Sequence, residues 1–229
     1  MTLPDDAMQQ QTRRATHGSD RRAVYPSLVD RRVIVTGGAS GIGGGLVEAF
    51  VAQGARVGFL DILDGEAAAL VTRTGDGARH MPVYRHCDLT RLDDLATAMA
   101  ALADELGGVD VLLNNAANDD RHSIAEVTPD YWDDRMAVNL RHLFFAAQAV
   151  VPYMRQAGGG AIVNFGSISW HLGLPDLVLY QTAKAAIVDA QCLDGRIQPA
   201  DVAALALFLA SDDARMCTGH DYFVDAGWR

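Results

Sequence analysis

Tyr180 and Lys184 stand four residues apart in Tyr180-Gln181-Thr182-Ala183-Lys184, a run that reads as the start of a helix. Residues four apart share a helix face, so a phenol and an ammonium can reach one site. Lys184 is the single lysine of the 229 residues, every other strong positive charge being arginine. A compact ammonium can approach a phenol and sugar hydroxyls where a planar guanidinium fits poorly. Far upstream, Gly37, Gly41 and Gly43 form a G-x-x-x-G-x-G pattern directly after the apolar run Val33-Ile34-Val35. Glycines so placed allow a tight turn, close backbone approach to a pyrophosphate, and close packing of helix on strand. The amides that open the following helix then face an anion. An ordinary flexible turn could carry the same glycines, but a strand before and an amphipathic helix after are the context that the motif needs.

Other elements must bring these two groups together. Apolar periodicity predicts a first helix over 42–53, with Leu46, Val47 and Phe50 facing inward and Gly54 ending it. Residues 56–61 read as a second strand with Asp61 at its end, 18 residues beyond Gly43. A carboxylate there accepts hydrogen bonds from adenine ribose hydroxyls and repels the extra phosphate of NADP, which points to NAD; a plain helix cap would place an Asp there too. A helix over 64–72, a loop at Gly75-Asp76-Gly77 and a third strand over 81–87 lead to Asp88, which either contacts adenine or caps a helix over 92–105. The apolar run 109–113 is a buried strand, followed at once by Asn114-Asn115-Ala116-Ala117, small enough to lie against a cofactor or simply to turn.

Asn118-Asp119-Asp120-Arg121-His122 is polar enough to recognise a polyol, or to be a solvated loop. Thr128-Pro129 opens a long helix over 131–154, whose apolar face is interrupted by Asn139, a buried amide that needs partners. A bend held by a side-chain-to-backbone bond would supply them. Residues 161–165 form another buried strand, and Ser167, Trp170 and His171 leave its carboxyl end. Strands alternating with helices in this way predict an α/β fold, a Rossmann-like doubly wound parallel sheet with helices on both faces in one domain, 23–229.

The whole chain sets bounds. With 49% hydrophobic residues it can bury one sizeable core. A net charge of -10 and the lack of a basic stripe argue against nucleic-acid binding. Cys87, Cys192 and Cys217 are too scattered for a disulfide framework or a zinc cluster, so no metal is expected. The longest apolar runs fall short of the roughly 20 residues of a membrane span, which suggests a cytoplasmic protein. Residues 1–22 are polar and aperiodic and read as a disordered extension, an expression remnant or a misplaced start.

Taken together, these residues resemble the short-chain dehydrogenase/reductase family in its classical form, from Val33 onward. The resemblance implies a homotetramer and a catalytic set of Asn139, Ser167, Tyr180 and Lys184. It implies cofactor contacts from Gly37, Ser40, Gly41, Ile42, Gly43, Asp61, Asp88, Leu89, Asn115 and Ala116, with Tyr180 and Lys184. Tyr180 would act as general base, Lys184 as its positive neighbour and ribose anchor, and Asn139 as the anchor of a proton-relaying water. The runs 115–122, 165–174 and 219–228 are similar to the branch of bacterial NAD-dependent enzymes that oxidise D-xylose at its anomeric carbon to a lactone. Asn118, Asp120, Arg121, Ser167, Trp170 and His171 are then candidates to hold the sugar. L-arabinose or another aldose remains open, as does another small polyol, alcohol or ketone, and a non-enzymatic cofactor-binding regulator. Ala117 stands where the family usually has glycine, and its methyl narrows the pocket.

One departure is large. Ile187-Val188-Asp189 is followed at once by Ala190-Gln191-Cys192-Leu193, which resembles the stretch after the family's substrate lid. Roughly forty residues of the pattern are absent, leaving no room for a helix, a buried strand and its return before the helix over 201–210. The apolar strand read at 222–224 needs a sheet neighbour. We therefore expect the intact polypeptide to contain a further segment near 189/190; a measured mass near 24.5 kDa would refute this.

Overall fold

The five strands are parallel and lie in the order β3-β2-β1-β4-β5 in the computed structural model. It describes residues 23–167, 169, 174–185, 199–214 and 217. The readings placed on 1–22, Trp170, His171, Cys192, the 189/190 junction and 222–224 lie outside these.

The strands are β1 (Arg32–Thr36), β2 (Arg56–Asp61), β3 (Val83–His86), β4 (Val111–Asn114) and β5 (Ala161–Asn164). The helices are α1 (Gly41–Ala52), α2 (Asp64–Gly75), α3 (Leu92–Leu106), α4 (Pro129–Met136), α5 (His142–Gln156), α6 (Val178–Lys184) and α7 (Pro199–Ala210). Alternation along the strands splits the core in two. Val33, Val35, Val57, Phe59, Val111 and Leu113 face α1, α2 and α7, meeting Leu46, Phe50, Leu70 and Leu207. Ile34, Leu60 and Leu112 face α3 and α5, meeting Leu95, Met99, Leu102, Ala146 and Val150. Burial on both faces explains why β1 and β4 read as unbroken apolar runs.

Register aligns the strand ends that carry polar groups. Thr36 lies beside Asn114, Asn114 beside Asn164, and Asp61 beside His86. At the opposite end of the sheet Asp110 accepts the backbone N–H of Arg32 at 2.9 Å and its Nε–H at 2.8 Å, fastening β1 to β4. β5 differs from β4. It is the end strand among the described residues, and Ile162 is 38% exposed, whereas every residue of β4 is buried.

The helix expected over 131–154 is not uniform. Thr128 caps α4 by accepting the N–H of Tyr131, with Pro129 in the first turn as expected. A π turn, Ala137–Arg141, then separates α4 from α5. Asn139 sits inside it, fully buried, and its amide is drawn to a loop 21 residues upstream. Accommodating that pull widens the helix by one residue.

Candidate active site

The glycine turn leaves β1 through Gly37, at φ +66°, and enters α1 at Gly41. A Cβ on Gly37 would lie 2.7 Å from Ala116 Cα, and one on Gly43 would lie 1.8 Å from the Gly37 carbonyl oxygen. Neither position admits a side chain, so the backbone itself forms the floor of a cradle. Ser40, Gly41 and Ile42 line its exposed rim. Asp61 stands at the edge, where Oδ2 accepts the N–H of Ala39 at 2.9 Å and Oδ1 accepts that of Ile62 at 2.8 Å.

Thr36 carries no signal of its own in the sequence, yet it fixes this cradle to β4. Its hydroxyl oxygen accepts the N–H groups of Asn115 at 3.1 Å and Ala116 at 3.2 Å. Asn115 Nδ2 donates in return to the carbonyls of Thr36 and Gly37, at 3.1 and 2.9 Å. Asp88 does not cap α3, which starts at Leu92 after Arg91 with no side-chain cap bond, and turns instead onto Thr90. Its Oδ1 accepts from the N–H and hydroxyl of Thr90, and the Thr90 hydroxyl bond holds its carboxyl below the usual range. Leu89 beside it is buried.

Tyr180 and Lys184 share a face of α6, with Lys184 Nζ 6.0 Å from the centre of the phenol ring. Lys184 is 1% exposed and donates to the carbonyl of Phe165 at 2.7 Å. Burial lowers its pKa to about 8. Burial also raises that of Tyr180; the nearby Ser167 hydroxyl works downward, and the charge of Asp119 adds to the rise. Ser167 Oγ donates to Ser169 Oγ at 3.0 Å. Gln181 Nε2 holds the segment after β5 onto α6 by donating to the carbonyls of Ser169 and Leu174, both at 2.9 Å. Its place beside Tyr180 in sequence gives no sign of this.

Asn139 reaches the site through the backbone of Asn118. Its Oδ1 accepts the Asn118 N–H at 2.8 Å, and its Nδ2 donates to the Asn118 carbonyl at 3.0 Å. The polar loop that begins there is largely bonded to its surroundings. Asn118 Oδ1 accepts the N–H of Asp120, Asp120 pairs with Arg135 at 3.2 Å, and Arg121 donates to the Pro175 carbonyl at 3.1 Å. His122 is buried, receives the Leu179 N–H at 3.3 Å and stacks edge-on against Tyr131. Residues 118–122 therefore pack against 174–181, the segment that carries Tyr180, to form one wall.

The arrangement provides a backbone cradle for an anion, a carboxylate at the end of β2, and a phenol flanked by a hydroxyl and a buried ammonium. Among the described residues no group of three or more His, Cys, Asp or Glu could hold a metal ion, and no helix is long and apolar enough to cross a membrane.

Comparison with known proteins matches this geometry. The chain is 50% identical over 250 aligned positions to D-xylose 1-dehydrogenase of Caulobacter vibrioides, covering 90% of this chain and 99% of that enzyme. It is 45% identical over 179 positions to a protein of Rhizobium meliloti named probable galactose dehydrogenase GalD, covering 78% of this chain and 70% of that one. An NADH-dependent reductase solved with NAD superposes with a TM-score of 0.78 at 22% identity, over 87% of this chain and 97% of that one, a likeness of fold. The description enoyl-(acyl carrier protein) reductase matches residues 188–229. The description short chain dehydrogenase matches residues 31–203, a span that takes in the glycine cradle, Asn139, Ser167, Tyr180 and Lys184, and on that match the chain belongs to the short-chain dehydrogenase family.

Proposed function

We propose that the chain oxidises an aldopentose at the anomeric carbon to the aldonolactone with NAD, D-xylose being the leading substrate and L-arabinose the next. One observation carries the substrate: half of the aligned positions are identical to a D-xylose 1-dehydrogenase along nearly all of that enzyme's length. The resemblance to a galactose dehydrogenase supports an aldose more broadly.

The cradle suits a dinucleotide, because close packing at Gly37 and Gly43 draws the turn tight while Gly41, where an added Cβ would meet nothing within 4 Å, leaves its outer face open. Gly37, Ser40, Gly41, Ile42 and Gly43 would hold the phosphates, Asp61 the adenine ribose, and Asp88 with Leu89 the adenine. Asn115 and Ala116 would lie toward the nicotinamide, and Lys184 with Tyr180 would hold its ribose. When bound, NAD supplies the acceptor for hydride from the anomeric carbon. Tyr180 takes the hydroxyl proton. Its phenol is raised by burial, so it works as base with the Ser167 hydroxyl and positive charge close by. Ser167 also steadies the anomeric oxygen as charge develops there. Asn139 acts by holding Asn118, which sets the loop that carries Asp120 and Arg121 against the sugar; Trp170 and His171 are further candidates to hold the sugar.

The same reading puts the enzyme in the cytoplasm as a homotetramer without nucleic-acid partners. Its negative charge and the exposed apolar side chains of Leu140, Phe144 and Ile162 support this. It also includes a further segment near 189/190. The half-exposed β5 supports that, as does the Caulobacter alignment, whose 250 positions use 90% of 229 residues here and so leave some forty positions in gaps.

The test is NADH formation by the purified chain with D-xylose, L-arabinose, D-galactose, D-glucose, D-ribose and simple alcohols. D-Xylose should give the highest kcat/KM. Turnover of the alcohols alone, or of no aldose while NAD still binds, would overturn the substrate.

A further inference from the structure

His142 is the first residue of α5 and is fully buried, yet neither ring nitrogen has a hydrogen-bond partner among the described residues. Asn114 Oδ1 is in the same condition. Buried polar atoms without partners are uncommon, and three from two residues invite an explanation.

Hydrogen bonds tie Asn114 to the residue after His142 and link Lys184 to Asn114 through the backbone of Phe165. Asn114 Nδ2 donates to the carbonyl of Leu143, next to His142, at 3.2 Å. The Asn114 carbonyl accepts the N–H of Phe165 at 3.2 Å, and the Phe165 carbonyl accepts from Lys184 Nζ at 2.7 Å. The charge of Lys184 reaches the imidazole and, after burial, is the next cause that lowers its pKa to about 4. The carbonyls of Val138 and Ala137 in the π turn act in the opposite sense, though neither meets hydrogen-bond geometry with a ring nitrogen. The imidazole is therefore neutral, with one N–H and one lone pair to satisfy.

Lys184 carries three donors, of which one is committed to Phe165. A single water can accept one N–H and donate twice, and such internal waters have two to four polar partners. We propose that His142 is a positioning residue for the reaction: with Asn114 Oδ1 it holds an internal water that accepts a hydrogen bond from Lys184 and keeps that side chain an ammonium. The water donates to the imidazole lone pair and to Asn114 Oδ1. The titratable groups around this point are Tyr180 on the same helix as Lys184 and His142 opposite, with Asp119 acting on Tyr180.

The consequence for catalysis rests on the roles given above to Tyr180 and Lys184, but the test need not. Because the chain contains one lysine, side-chain carbon-13 labelling of lysine gives a single NMR signal that follows Lys184 through a pH titration. In the chain without NAD the midpoint should lie near 8. In His142→Leu it should fall by about one pH unit, a tenfold loss of proton affinity. His142→Gln, whose amide can still hold a water, should restore most of it. An unchanged Lys184 midpoint in a folded His142→Leu protein overturns the proposal. If that variant does not fold, His142→Gln and His142→Phe give the same comparison, and equal midpoints in those two overturn it. Failure of the aldose assay with these shifts intact would count against the substrate reading alone.

Discussion

The cradle between β1, α1 and β4 and the wall made by residues 118–122 and 174–181 are both polar, and both adjoin the same reacting centre. They are built by different means. In the cradle the decisive contacts lie within a few residues of a strand end: glycine backbone at Gly37 and Gly43, and one threonine hydroxyl joined to Asn115 and Ala116. In the wall, side chains reach between loops and helices away from the sheet, as with Asn118 and Asn139, Arg121 and Pro175, or His122 and Leu179. A cradle of backbone tolerates little change and defines a cofactor class. On the proposed assignment, a wall of side-chain bonds can be re-formed around a different sugar.

The contrast can be broken most severely at Gly43. Gly43→Ala places a methyl where the Gly37 carbonyl stands, and NAD binding followed by fluorescence should fall at least a hundredfold, since backbone atoms cannot move aside cheaply. Binding within a few-fold of the parent would show that the cradle is adaptable after all. Tyr180→Phe should lower turnover by about 10²–10⁴ while the NAD Kd holds, as expected for removal of a positioned base. Retained turnover would remove Tyr180 from that role.

Asn139→Ala should separate the two regions most cleanly. It strips both partners from the Asn118 backbone, at about 1–3 kcal/mol of stability. Aldose kcat/KM should drop about tenfold with NAD affinity little altered, and an equal loss in both would join wall and cradle into one unit. Asp61→Ala acts on the cradle alone and should narrow the preference for NAD over NADP by about tenfold, read as a ratio of kcat/KM values.

A separate effect is on stability against pH. Lys184 has a pKa of about 8 when folded and an ordinary value of 10.5. Between these values the unfolded chain binds the extra proton, so this residue makes the protein more stable as pH rises from about 8 to 10.5. Below pH 8 its burial penalty is present in full. Urea unfolding across that window should show a steeper rise for the parent than for Lys184→Met, and parallel curves would mean that the ammonium is not destabilised by burial.

The same contrast explains which features are legible in the sequence. Gly37, Gly43 and Asp61 are related by short spacings within one strand–helix–strand unit, and Tyr180 and Lys184 along one helix, so one sequence displays them. The parallel sheet is legible for the same reason, since strands buried on both faces announce themselves as apolar runs. The π turn is not legible as such: it depends on Asn139 finding Asn118, and only the need of a buried amide for partners hints at it. His142 gives no signal, because one histidine at the head of an apolar helix resembles any core residue. Thr36 is hidden in plain view inside the glycine motif, its hydroxyl role being visible only once β4 lies beside β1.

The π turn also makes chain length a control on specificity. Loss of one residue between Ala137 and Arg141 would return the segment to an ordinary helix and, since the π turn absorbs that one extra residue, would leave α4 and α5 near their present relation while removing the bulge that carries Asn139 to Asn118. Asn139 would then leave Asn118, and the loop with Asp120 and Arg121 would be freed, whereas α5 would keep its seat on β4. A single codon deleted or inserted here could reshape the sugar wall more than most substitutions within it, so descendants of this chain can change substrate by counting residues as well as by exchanging them.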